Sequence, residues 1–126
     1  MRQLFTALAL LAALCAGLLL LGRQVDGLTG PMVQTLDRAL RSAQAGNWDS
    51  ARDLTARAAA DWEEADGWLR LAETHQTVSE VAALLDEAEA YAAGEEPAPF
   101  RASVRRAQRA LTVLQAAEEA SWGNLL

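Results

Sequence analysis

The chain predicts an all-α protein: an N-terminal transmembrane helix, then a small antiparallel three-helix domain whose middle helix is long. Three observations carry that prediction. Leu4 through Leu21 hold no charge. The rest of the chain repeats apolar residues at alternating steps of three and four, the spacing of amphipathic helices. The clear breaks in that repeat are few: Gly27 to Pro31, Gly46-Asn47 and Gly94 to Pro99.

The first element runs MRQLFTALALLAALCAGLLLLGRQV. Eighteen uncharged residues make about 27 Å of helix at ~1.5 Å per residue, close to a hydrocarbon core about 30 Å thick. Residues 1–22 therefore read as an uncleaved signal-anchor, 23–30 as a short tether and 31–126 as the helical domain. A cleaved signal peptide is the rival reading, since Arg2 supplies a short positive region. Leu14 and Cys15 interrupt the small residues that cleavage near Ala16-Gly17 needs. Leu14 is also too large to precede a lipoprotein cysteine, and Leu18 to Leu21 continue the apolar run past it. Arg2 on one side and Arg23 with Asp26 on the other weakly favour an extracytoplasmic domain. The single cysteine, Cys15, lies inside the apolar run, where it reads as a small apolar residue and says nothing of compartment.

Beyond the anchor, ten Arg against seventeen Asp and Glu leave a net charge of about −7, which suits neither nucleic acid nor an anionic lipid surface. Helix A, about 31–45, starts at Thr29-Gly30-Pro31 and carries Met32, Leu36, Ala39, Leu40 and Ala43 on one face. Gly46 suits a left-handed C-terminal cap and Asn47 the next N-cap, so helices A and B are antiparallel neighbours.

Helix B, about 48–93, carries two stripes. One is Trp48, Ala51, Thr55, Ala58, Trp62, Ala65, Leu69 and Ala72; the other is Trp68, Leu71, His75, Val78, Ala82 and Leu85. At ~100° per residue, Trp62 lies about 40° from Trp48 and Trp68 about 160° from it. The face changes near Asp66-Gly67, which predicts a bent or continuous helix; a break at Gly67, giving a conventional three-helix bundle, is the alternative. Helix C, about 98–121, repeats Phe100, Val104, Ala107, Leu111, Leu114 and Ala117 and is expected to fold back along 71–93. In that hairpin Asp86, Glu87 and Glu89 face Arg101, Arg105, Arg106 and Arg109, which sets register more than stability.

No motif reports a reaction. His75 is the sole histidine, and positions 71, 72, 78 and 79 are Leu, Ala, Val and Ser, so no helical metal pair forms with it; a half-buried ring on an apolar stripe is expected. The carboxylate clusters lack calcium-loop spacing, and no phosphate loop, serine elbow or zinc pattern occurs. The expectation is a protein that is not an enzyme, with no cofactor, metal or small-molecule substrate. Residues 45–54, AGNWDSARDL, resemble one tetratricopeptide hairpin, but a single unit makes no peptide-binding array.

The carboxy-terminal stretch Trp122-Gly123-Asn124-Leu125-Leu126 is unusually apolar for a chain end, and is expected to cap the core beside Trp68 and Leu69 or to dock a partner. The apolar start, the Gly46-Asn47-Trp48 turn, the Trp62 and Trp68 pair leading to His75, and the ending Glu118-Glu119-Ala120-Ser121-Trp122-Gly123-Asn124-Leu125-Leu126 resemble a family of short single-span bacterial proteins catalogued as the domain of unknown function numbered 4363. Leu125 departs mildly from that family's more common Ile. The resemblance implies a membrane-anchored helical domain and no assigned activity. The functional expectation is a membrane-anchored, extracytoplasmic interaction or accessory subunit of another membrane protein, held to lipid by its span; the alternative is a secreted soluble binding module after signal cleavage. Candidate interaction residues are Trp68, His75, Trp122, Leu125 and Leu126.

Overall fold

The computed structural model describes residues 2–67, 69 and 75–125, with the backbone alone at 21–26 and 117–125. The chain is all-α, with no strand among the described residues. Among the described residues, four helices with described bounds follow in order: α1 (Arg2–Gln44), α2 (Trp48–Glu64), α3 (His75–Ala93) and α4 (Pro97–Leu125). Residues 66, 67 and 69 are also helical.

The α1–α2 turn is built by its sequence. Gly46 adopts φ 78°, which a residue with a Cβ disfavours, and closes a double cap: its N–H donates to Ala43 O at 3.0 Å while the Asn47 N–H donates to Ser42 O at 2.8 Å. Asn47 then starts α2, its Oδ1 accepting the Ser50 N–H at 3.2 Å. The predicted cap and N-cap are both present. The α3–α4 turn uses the same hydrogen-bond pattern, Glu95 N to Ala92 O and Glu96 N to Tyr91 O, but with Glu95 in the left-handed position at φ 53°.

The long middle helix is corrected. A helix continuous over 48–93 would hold Arg52 and Glu95 roughly 60 Å apart. Instead the Arg52 guanidinium lies 3.9 Å from the Glu95 carboxylate, and Trp62 Nε1 donates to Val78 O at 3.0 Å. α2 and α3 are antiparallel neighbours. The reason lies in the two stripes: on one straight helix they would face different directions, whereas folding back between them turns both toward a single core. α1 packs on α2, α2 on α3, α3 on α4, and α4 on α1. The domain is thus a four-helix up-and-down bundle, not a three-helix one.

The non-helical tether is corrected too. α1 runs unbroken through Gly27, Gly30 and Pro31. Thr29, Met32, Leu36 and Leu40 follow one inward stripe and are buried, so the core requires helical geometry ahead of residue 31. The Pro31 ring faces outward and removes one backbone donor, a local cost the bundle tolerates. Thr29 Oγ1 is buried without a hydrogen-bond partner.

One core joins all four helices. Met32, Leu36, Ala39 and Leu40 enter it from α1, and Ala51, Leu54, Ala58 and Trp62 from α2, followed by Ala65 and Leu69. Val78, Val81, Leu85, Ala88 and Ala92 enter from α3, and Phe100, Val104, Ala107, Leu111 and Leu114 from α4. The helix A and helix C stripes are therefore the buried faces, while Ala117 lies beyond the described side chains. Trp62 is 2% exposed, and small alanines opposite large side chains let the helices interdigitate. Trp48 is half-buried and meets the Phe100 ring edge-on, centroids 5.5 Å apart at 71°.

Candidate functional site

Two features of the molecule are unexplained by its own packing. The first is the N-terminal half of α1. Arg2–Leu20, 19 residues, is long and apolar enough to cross a membrane, and none of it is buried in the fold. Leu4, Phe5, Leu8, Leu10, Leu11 and Leu14 are each more than half exposed. A core helix of a soluble protein meets partners inside its own fold; this one meets none there, so its apolar surface needs cover from outside the chain.

The second is a separation of charge across the bundle. On the α4/α1 face, Arg38, Arg41, Arg105 and Arg109 line a groove with a single acid, Asp37. Asp37 pairs with Arg41 at 3.1 Å and with Arg105 at 3.9 Å. Arg105 also donates to Gln108 Oε1 at 3.1 Å, and Gln108 Nε2 donates to Val33 O at 3.1 Å, tying α4 to α1 across the groove floor. Arg38 and Arg109 have no ion-pair partner among the described residues. The α2/α3 face lies opposite in the ring of helices. Its groove is lined by Glu63, Asp66, Asp86 and Glu89 over Ala56, Ala59, Ala60 and Ala82, with no basic side chain among the described residues that line it. Partial burial raises the pKa of the Glu89 carboxyl above its ordinary value, and the neighbouring Asp86 and Glu63 carboxylates raise it further.

This arrangement differs from the predicted hairpin of Asp86, Glu87 and Glu89 against the α4 arginines. Asp86 and Glu89 line the groove over α2, Arg105 reaches α1, and Arg106 and Arg109 line the α3/α4 groove together with Glu80, without an ion pair to it. Sequence pairing of consecutive helices missed the α4–α1 contact, because its residues lie about seventy positions apart in sequence. A third groove, lined by Leu40, Ala43, Pro97, Ala98 and Phe100, opens at the loop end of the bundle.

Of the candidate interaction residues, only His75 has a described side chain. His75 is the first residue of α3 and is exposed, which corrects the half-buried ring expected of it; the inward stripe of α3 begins one turn later, at Val78. Trp68 and Leu126 lie outside the described residues, and Trp122 and Leu125 belong to α4 by backbone alone. Among the described residues no three His, Cys, Asp or Glu side chains are placed to hold a metal. Comparison with protein-family models, with curated proteins and with solved structures finds no match.

Proposed function

We propose that this chain is a single-span membrane protein whose extracytoplasmic four-helix bundle serves as an interaction or accessory subunit of another membrane protein, with no catalytic role. The observation that carries the reading is the wholly unburied apolar helix Arg2–Leu20. Its continuity with the bundle through α1 supports it: the domain is joined to the span by helix, so its faces keep a defined direction relative to the bilayer. Kinship with the single-span family that the sequence resembles belongs to the same proposal, as does the direction of insertion, which rests on Arg2 against Arg23 and Asp26.

Intact mass of the natively expressed protein, with extraction of membranes at high pH, tests the anchor: a full-length chain that resists extraction is expected, and loss of about the first twenty residues would replace the anchor with a cleaved signal. Topology is read in a Cys15→Ser background with Ala45→Cys at the exposed α1–α2 turn. An impermeant maleimide should label intact cells; labelling only after lysis would put the bundle in the cytoplasm. Crosslinking in native membranes followed by mass spectrometry identifies the partner.

A further inference from the structure

The two charged grooves are complementary to each other, and they sit on opposite faces of one bundle. We infer that the partner recognised by the basic α4/α1 groove is the acidic α2/α3 groove of a second copy of this chain, so that anchored bundles pack side by side, head to tail, in the plane of the membrane. The inference rests on the membrane-anchored reading, because anchoring is what makes neighbouring copies parallel.

Level decides whether such a contact can form. Parallel copies inserted to the same depth can join only through patches at the same height, and both grooves can be measured from the loop end of the bundle, where α1 and α3 end and α2 and α4 begin. At ~1.5 Å per residue, Arg41, Arg38, Arg105 and Arg109 occupy a band about 5 to 18 Å from that end, and Glu89, Asp86 and Glu63 one about 6 to 22 Å from it. The bands overlap over most of their length. Composition then favours close approach. The floor of the acidic groove is alanine, which admits long arginine side chains, and Arg38 and Arg109 have no ion-pair partner among the described residues to give up. The carboxylates that would receive them, Glu63, Asp86 and Glu89, line one groove, and beside burial, the main cause, Asp86 and Glu63 both add to the raised pKa of Glu89, so incoming guanidinium groups relieve repulsion that the monomer contains.

The net charge of −6 opposes association at long range, but screening leaves the contact pairs dominant at short range, and confinement to two dimensions raises the effective concentration. A single face carrying both signs could pair with its own copy in an isologous contact and close as a dimer; faces of opposite sign on opposite sides make the contact heterologous, so it propagates into rows or rings. An acidic segment of an unrelated protein is the competing occupant of the basic groove, and the test separates the two.

The full-length chain is reconstituted in lipid vesicles in a Cys15→Ser background, with Gln34→Cys beside the basic groove in one preparation and Ala60→Cys in the acidic groove in another; both positions are exposed and lie about 15 and 18 Å from the loop end. Treated with a short bismaleimide, a mixture of the two in the same vesicles should yield a covalent dimer, and each alone little or none. The yield should fall several-fold at high ionic strength and in Arg38→Glu/Arg109→Glu, a pair without described intramolecular partners, with helicity by circular dichroism unchanged. Dimers formed equally by each single variant alone, a mixed yield indifferent to the charge reversal, or no mixed product would each overturn the inference and leave an unrelated acidic partner as the occupant. Vesicle flotation and shielding of the native Cys15 from a water-soluble maleimide are scored in parallel. A floating, shielded chain without mixed product refutes the pairing alone, whereas a chain that stays in solution with reactive Cys15 refutes the anchored reading and the pairing with it.

Discussion

Glu95 holds the left-handed cap position at the end of α3, where the same turn after α1 uses Gly46. A side chain there costs about 1 to 2 kcal/mol relative to glycine. Its 3.9 Å pair with Arg52 is exposed and returns less than about 1 kcal/mol. Glu95→Gly should therefore stabilise the bundle by about 1 kcal/mol in chemical denaturation. Trp62 is the opposite case: its ring is 2% exposed and its Nε1 satisfies Val78 O, so Trp62→Ala should cost about 3 to 5 kcal/mol, measured the same way. Glu89 gives a pH-dependent effect. Its pKa is raised in the fold by burial, then by Asp86 and Glu63, so the neutral form is favoured. Stability is fullest below the ordinary glutamate range and is lost as pH rises through the raised value. Glu89→Gln should raise Tm at neutral pH and have no such effect well below the carboxylate range; an equal gain at both would mean the charge is not the cause.

At the scale of the element, α1 separates what local signals suggest from what packing enforces. Gly27, Gly30 and Pro31 together read as a tether because each weakens a helix, by about 1 kcal/mol for glycine and about 3 for proline. The helix persists there because Thr29 and Met32 are buried on the same stripe as Leu36 and Leu40, and a non-helical backbone would take them out of the core. A Cβ at Gly27, which no proline follows, meets nothing within 4 Å beyond its own chain neighbours and helix backbone. Gly27→Ala should then stabilise by about 1 kcal/mol, raising Tm by several degrees in a domain this size. An unchanged Tm would favour a flexible tether. The opposite error arose between α2 and α3. Asp66-Gly67 carries no proline or turn cluster, so local chemistry favoured a continuous helix, and only the need of two stripes for one core folds the chain back.

For the whole molecule, the bundle and the apolar segment Arg2–Leu20 share α1 but not a core. Among the described side chains the buried residues begin at Thr29, while Arg2–Leu20 contributes none. A chain lacking residues 1–22 should accordingly stay helical, become soluble without detergent and unfold with the same Tm as the full-length protein. A collapsed or molten truncated chain would show that the span supports the bundle. The grooves belong to this scale as well. Neither exists on a single helix: the basic one needs α1 and α4 side by side, and the acidic one needs α2 folded back onto α3.

Periodicity alone determined the class of the fold, the α1 and α4 stripes that form the core, and the Gly46-Asn47 turn, because helical repeat, cap conformation and N-cap chemistry are local and act within a few residues. The composition of Leu4 through Leu21 likewise determined a helix with no place in a core. Tertiary structure decided the rest. The reversal between α2 and α3, the helical passage through Pro31, the exposure of His75 and the pairing of Arg105 with Asp37 all depend on which faces meet. Apolar area can be buried only once, against a partner distant in sequence, and no local preference of about 1 kcal/mol per residue outweighs leaving a whole stripe in water.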